Sequence, residues 1–264
     1  MDETVQDILF NFSAELEKFR NKEPHSKILQ YFMSKNVSNP GFMKSYTNST
    51  VIASTSSNKA NGYGIVQYPN KTIYVGQLID GKKHGFGVRS YLGNGLAYVG
   101  EYDNDIKSGK GKLYDFQTNK YIFDGEWAND HRNGYGELDK EDVKYKGNYV
   151  DDKMEGKGLL TWSNGNAYEG DFKNDLRHGR GIMKFYNGDR YEGDFENGLM
   201  HGDGVYVWKN GERYIGEFKE GMMCGQGKVD YGFNVIAQGV FEGDSTRTVD
   251  YALSGEFGKY QQSS

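Results

Sequence analysis

The 264-residue chain carries 32 basic and 37 acidic residues, a net charge of −5, which argues against broad electrostatic binding to nucleic acid. Glycine is the anomaly: 37 residues against 3 prolines, with no G-X-Y period, which excludes collagen. The 21 tyrosines and 15 phenylalanines are too many for a disordered tail, and the single cysteine, Cys224, allows no internal disulfide.

Residues 1–61 hold one glycine, Gly41, whereas the rest of the chain is rich in them. Residues 1–35 read as a helical segment. Val5, Ile8, Leu9, Phe12, Leu16 and Phe19 fall on one helical stripe. Pro24 ends that helix, and Ile28, Leu29, Phe32 and Met33 give a second one a short apolar face. No basic stretch precedes the stripe, so no secretory leader is expected. Residues 36–50, rich in Ser and Asn, read as a linker.

From residue 51 the chain repeats. Aromatic-x-Gly recurs at Tyr74, Tyr98, Phe123, Tyr145, Tyr168, Tyr191, Tyr214 and Phe241, mostly at steps of 22 to 25. The full units are 74–97, 98–122, 123–144, 145–167, 168–190, 191–213 and 214–240. Residues 51–73 form a degenerate first unit, in which Val51, Ala53 and Thr55 replace the aromatic, Gly and aromatic. Residues 241–254 make a terminal hairpin and 255–264 a tail, so the array runs over 51–244.

Period-two alternation on both sides of a turn makes each unit a β-hairpin. Tyr168, Gly170 and Phe172 alternate with Glu169 and Asp171; after the turn, Gly181, Met183 and Phe185 alternate with Ile182 and Lys184. Pairing Phe172 with Gly181, Gly170 with Met183 and Tyr168 with Phe185 leaves Asp175–His178 as a four-residue loop. The eighth place of every full unit is Gly or Asp, both turn residues. The fold class expected is an all-β repeat array, one long antiparallel sheet of hairpins, with a short N-terminal α-helical segment. That segment is expected to lie on the aromatic face of the sheet or to cap its first edge strand.

The unit resembles the MORN repeat, Y-x-G-x-F/W-x-x-G-x-x-H-G-x-G followed by an apolar strand and a Gly turn. The resemblance implies an elongated, twisted array and a scaffold tethering proteins to membranes, to the cytoskeleton or to the ciliary axoneme. Some members pair into dimers and some have been proposed to bind phosphoinositides, while a cytoplasmic place is expected of a chain with no secretory leader. Where members are enzymes a separate domain supplies the chemistry, and this chain has no room for one.

The residues themselves offer no catalytic site. No phosphate-binding Gly loop or nucleophile elbow occurs. His84, His178, His201 and Cys224 share one place of the unit, but equivalent places lie about 10 Å apart, two strand spacings, too far for a shared zinc. No metal, cofactor or nucleic acid is expected. The candidate partner-binding surface is the aromatic face: Trp162, Tyr168, Phe172, Phe185, Tyr191, Phe195, Trp208, Tyr214 and Phe218. Half of that ring area is expected to be core. Its expected occupant is a protein partner or a second copy. The alternative readings are a peripheral tether to anionic phospholipid or phosphoinositide, through basic turns at Lys82, Lys83, Arg177 and Arg180 or through the amphipathic segment 4–20, and a subunit that docks an enzyme.

Overall fold

The computed structural model describes residues 43–46, 49–56, 59–69, 72–91, 95–232, 235–243 and 252–253. The expected N-terminal helices and the tail 255–264 lie outside them. All the described elements are β-strands, and the chain divides into two units, Met1–Asp130 and His131–Ser264.

The first unit runs β1 (Met43–Tyr46), β2 (Ser49–Ser56), β3 (Lys59–Gln67), β4 (Thr72–Ile79), β5 (Lys82–Tyr91), β6 (Leu96–Asp103), β7 (Ile106–Asp115) and β8 (Lys120–Ala128). Each strand pairs antiparallel with the next. β1 falls in the stretch read as linker. Ala53 pairs with Gly64 as Gly76 pairs with Gly87, which places the degenerate unit in register with the full ones.

The second unit continues the pattern with β9 (His131–Asp139), β10 (Val143–Val150), β11 (Lys153–Trp162), β12 (Ala167–Lys173), β13 (Leu176–Lys184) and β14 (Arg190–Glu196). Then come β15 (Leu199–Val207), β16 (Arg213–Lys219), β17 (Met222–Asp230), β18 (Ile236–Phe241) and β19 (Ala252–Leu253). Consecutive strands again pair antiparallel.

The register differs from the expected pairing. Tyr168 faces Met183, Gly170 faces Gly181, Asp171 faces His178 and Phe172 faces Arg177. The turn is therefore two residues, Asn174 and Asp175, not four. Both have positive φ, 50° and 69°, the signature of a type I′ turn, whose twist matches that of the strands it joins. The two residues left over, Gly179 and Arg180, form a bulge between the paired Gly181 and His178. Gly179 has a φ of 55°, which a glycine adopts without strain. The carboxylate of Asp171 caps the bulge by accepting from the Arg180 amide at 3.2 Å. Asp171 thus has a structural task.

The last repeat is also reassigned. Gly225 pairs with Phe241 as Gly202 pairs with Phe218. Phe241 thus holds the fifth place of its unit, not the first. Ala237 takes the tyrosine place, 1% exposed, and restores the 23-residue step from Tyr214.

Candidate interaction surface

The two faces of the sheet follow from alternation along each strand. On one face the three units from Tyr168 carry Tyr-x-Gly-x-Phe, the earlier ones have Leu78, Tyr102, Trp127 or Tyr149 at the fifth place and Phe123 once at the first, and the bare backbone of paired glycines lets the ring lie down across it. A Cβ on Gly193 would come within 2.6 Å of the Asp203 oxygen and of the Gly204 Cα, with the Tyr191 ring beside it. The tyrosine hydroxyl then reaches the main chain beyond. Tyr168 donates to the Asp171 carbonyl at 2.8 Å, Tyr191 to that of Asp194 at 2.9 Å and Tyr214 to that of Glu217 at 3.1 Å. The first unit repeats this at Tyr74 with Gln77 (2.7 Å) and Tyr98 with Glu101 (3.1 Å).

The rings interlock edge to face from hairpin to hairpin. Tyr168 meets Phe172 at 5.1 Å and Phe195 at 4.9 Å; Tyr191 meets Phe195 at 5.1 Å and Phe218 at 4.8 Å; Tyr214 meets Phe218 at 5.2 Å and Phe241 at 4.7 Å. Such pairs add about 0.5–1.5 kcal/mol each beyond the area they bury. Burial pushes the phenols of Tyr168, Tyr191 and Tyr214 well above their ordinary range.

The expectation of an open aromatic stripe therefore needs correcting. Tyr168, Tyr191 and Tyr214 are fully buried, and Phe172, Phe195 and Phe218 nearly so. They are the core of a single-layer fold. Trp162, Phe185 and Trp208 are half-buried and lie beside that row, opening the turns between repeats. Gly165 donates to the Trp162 carbonyl, Gly188 to that of Phe185 and Gly211 to that of Trp208, at 2.9–3.0 Å.

The residues that do lie over the ring row were not singled out from the sequence as a surface. They occupy the tenth place of the units: Lys83, Lys107, Arg132, Met154, Arg177, Met200 and Met223. All are long and unbranched, and an alignment of the repeats shows them as one column. The Arg177 guanidinium carbon sits 5.5 Å from the Phe195 ring centre, 5.8 Å from that of Tyr168 and 6.0 Å from that of Trp162. Burial holds the pKa of Arg177 below its usual value. Met200 pairs with Phe195, and Met223 with Phe218, as Arg177 pairs with Phe172. Tyr206 joins this surface, with its ring 5.3 Å from Trp208 and its hydroxyl donating to Asp189 at 2.7 Å.

The basic turns divide. Lys82 and Arg180 are exposed. Lys83 is 6% exposed; its ammonium pairs with Asp105 at 2.7 Å and lies about 6 Å from the Tyr74 and Tyr102 ring centres. Burial raises the Asp105 pKa, but hydrogen bonds from the Lys83 side chain and amide outweigh it, and the net shift is downward. Lys83 and Arg177, expected to reach lipid, are thus engaged within the fold.

His178, His201 and Cys224 face Asp171, Asp194 and Glu217 across their hairpins. Among the described residues no group of three or more His, Cys, Asp or Glu side chains could hold a metal ion. No described helix is long and apolar enough to cross a membrane.

These features define a β-hairpin repeat protein whose core is a row of tyrosines laid over paired glycines. The MORN repeat model matches residues 56–73, 74–91, 98–115, 123–142, 145–167, 168–190, 191–213 and 214–232, more than half the chain. The chain belongs to the MORN repeat family, whose repeats bind proteins or membranes and are generally non-catalytic.

Human alsin is 33% identical over 110 residues, covering 38% of this chain and 7% of alsin. MORN repeat-containing protein 3 of Xenopus laevis is 34% identical over 108 residues, covering 38% of this chain and 45% of that protein. The matched region is thus a small part of the first relative and less than half of the second. A solved structure, the SAS-4 TCP domain of Drosophila melanogaster in complex with a proline-rich motif of Ana2, gives a TM-score of 0.30. The identity there is 12%, over 76% of this chain and 97% of that one, a likeness too low to bear on the fold.

Proposed function

We propose that the protein is a non-catalytic scaffold that docks protein partners on the surface above the ring row of its second unit. One observation carries this reading. Trp162, Arg177, Met200, Tyr206, Trp208 and Met223 are half-buried, and they lie on or beside a rigid, fully packed aromatic floor. Trp, Tyr and Arg are the usual anchors of interfaces, and Met adapts to a partner's shape. A cytoplasmic place in a cytoskeletal or axonemal assembly is the setting that the family suggests.

The test compares capture of cellular proteins by the full chain, by Trp208→Ala/Met200→Ala, and by Val205→Asp on the opposite face. A partner lost about tenfold in the first variant and retained in the second supports docking on this surface. A partner set unchanged by Trp208→Ala/Met200→Ala overturns it.

The second reading is a membrane tether, favoured by the exposed Lys82 and Arg180. Co-sedimentation with vesicles containing phosphatidylserine decides it. Binding that falls with Lys82→Glu/Arg180→Glu supports this reading, and background binding at low salt removes it.

A further inference from the structure

The face opposite the tyrosines differs between the two units. In the first, Val75, Val88 and Val99 stand in register across β4, β5 and β6, and Ile73, Ser90 and Ala97 form the neighbouring row. Val88 is 7% exposed, Val99 4%, Ile73 5%, and Ser90 and Ala97 are at 0%. In the second unit the matching row is Glu169, Ile182, Glu192, Val205, Ile215 and Lys228. There three charged residues interrupt the apolar ones, and each of these side chains is exposed or half-exposed. The same fold therefore leaves this face open in one unit and buries it in the other.

Every described residue of the first unit lies in a strand or in a turn between consecutive strands. Among the described hydrophobic residues, Tyr121 packs on Val88 and Val99. Tyr114 stands beside Ala97 in register and packs on Tyr121, but neither ring, on β7 and β8, reaches across to Ile73 on β4. The 42 residues that precede Met43 run directly into β1 of this same unit.

We infer that the amphipathic N-terminal segment, residues 4–20, covers the back face of the first unit, with Val5, Leu9, Phe12 and Leu16 seated on Ile73, Val88, Ala97 and Val99. The dimensions agree. A helical stripe from Val5 to Phe19 is about 21 Å long at 1.5 Å per residue, enough to cover the three strands β4 to β6, whose axes span about 10 Å. The stripe is apolar, as the face is over β4 to β6 before the row passes into the Lys112–Asp124 ion pair on β7 and β8, and its far side carries Asp7, Glu17 and Lys18 for solvent. The segment thus takes neither the aromatic face nor the first edge strand. This inference stands apart from the docking reading, which concerns the other face of the other unit.

The test uses the full chain in a Cys224→Ser background, with a reporter Val99→Cys or, as the open-face control, Val205→Cys. Thiol labelling is followed with and without Leu9→Asp/Phe12→Asp. The Val99→Cys reporter should label slowly, and about tenfold faster once the segment is unseated, while the Val205→Cys control stays fast in both. Slow labelling of Val99→Cys that ignores Leu9→Asp/Phe12→Asp overturns the inference. Protection that disappears on dilution overturns it too, in favour of a second copy of the chain. Amine cross-linking of the unsubstituted protein gives an independent reading that needs no variant to fold. A Lys18–Lys112 link is expected, and Lys18 linking only to lysines of the second unit overturns the inference.

Discussion

The hydroxyl of Tyr191 donates to the carbonyl of Asp194 at 2.9 Å, and the ring can reach it only because Gly193, between them, has no side chain. The same phenol approaches the His201 carbonyl at 3.3 Å, so one side chain ties both strands of its hairpin together just before the bulge. The glycines of the strands are therefore spaces for rings. Their cost in backbone entropy is offset by a buried aromatic core that needs no second layer.

Gly193→Ala should destabilise the protein by about 1–3 kcal/mol, because the new methyl meets backbone on the facing strand as well as the ring. Tyr191→Phe keeps the ring and loses the hydroxyl bond, so its cost should be nearer 1 kcal/mol. Urea denaturation orders the two. An equal or smaller loss for Gly193→Ala would contradict the packing described.

The turn at Asn174 and Asp175 makes its own demand. Asp175 sits at a φ of 69°, and Gly198 and Gly221 hold the same place in the next two units. Asp175→Gly suits the left-handed backbone but loses the bond accepted from the Met154 amide at 2.8 Å, so it should cost about 1 kcal/mol or less. Asp175→Val should cost about 1–2 kcal/mol, since a β-branched residue resists left-handed backbone. Thermal melting of the two variants checks the ordering.

Alkali should unfold the sheet. An unfolded tyrosine ionises near its ordinary value of 10.0, whereas burial raises the values of Tyr168, Tyr191 and Tyr214, and pushes Tyr149 up to about 12 against the pull of Arg132. The folded state holds these protons more tightly. Its stabilisation is complete below pH 10 and is lost as pH rises through the folded values. Tyrosinate absorbance and circular dichroism followed together should show the buried phenols ionising with the loss of strand signal. Full ionisation near pH 10 with an intact sheet would refute this.

Lys83→Met should be tolerated to within about 1 kcal/mol, because Asp105 keeps solvent around it. The fold already contains the result: Met154 holds the tenth place with Asp175 accepting from its amide at 2.8 Å. Lys83→Glu should be far worse, placing a carboxylate beside Asp105 and among rings. Neither change should alter vesicle binding in proportion to charge if Lys83 works inside the fold, which co-sedimentation of Lys83→Met measures.

Much was legible in the sequence, because it rests on local demands. The 23-residue period, the strand alternation, the Gly or Asp at each first turn and the ring-beside-glycine arrangement are all carried by single residues and their near neighbours. The MORN assignment rests on the same residues and stands.

What the tertiary structure decided is the set of relationships that cross strands. The two-residue turn followed by a Gly179–Arg180 bulge has the same length as a plain four-residue loop, so counting residues could not separate them. That shift moved Phe172 opposite Arg177 and made the aromatic stripe a buried core. It left the tenth-place residues Arg177, Met200 and Met223 above that core as the candidate surface. Lys83 and Arg177 look in sequence like solvated turn cations. Only the neighbouring hairpins, with their rings and Asp105, determine that Lys83 is held inside and that Arg177 lies half-buried across the rings. The burial of Val88 and Val99 likewise depends on what lies over the sheet, which alternation along a strand cannot specify.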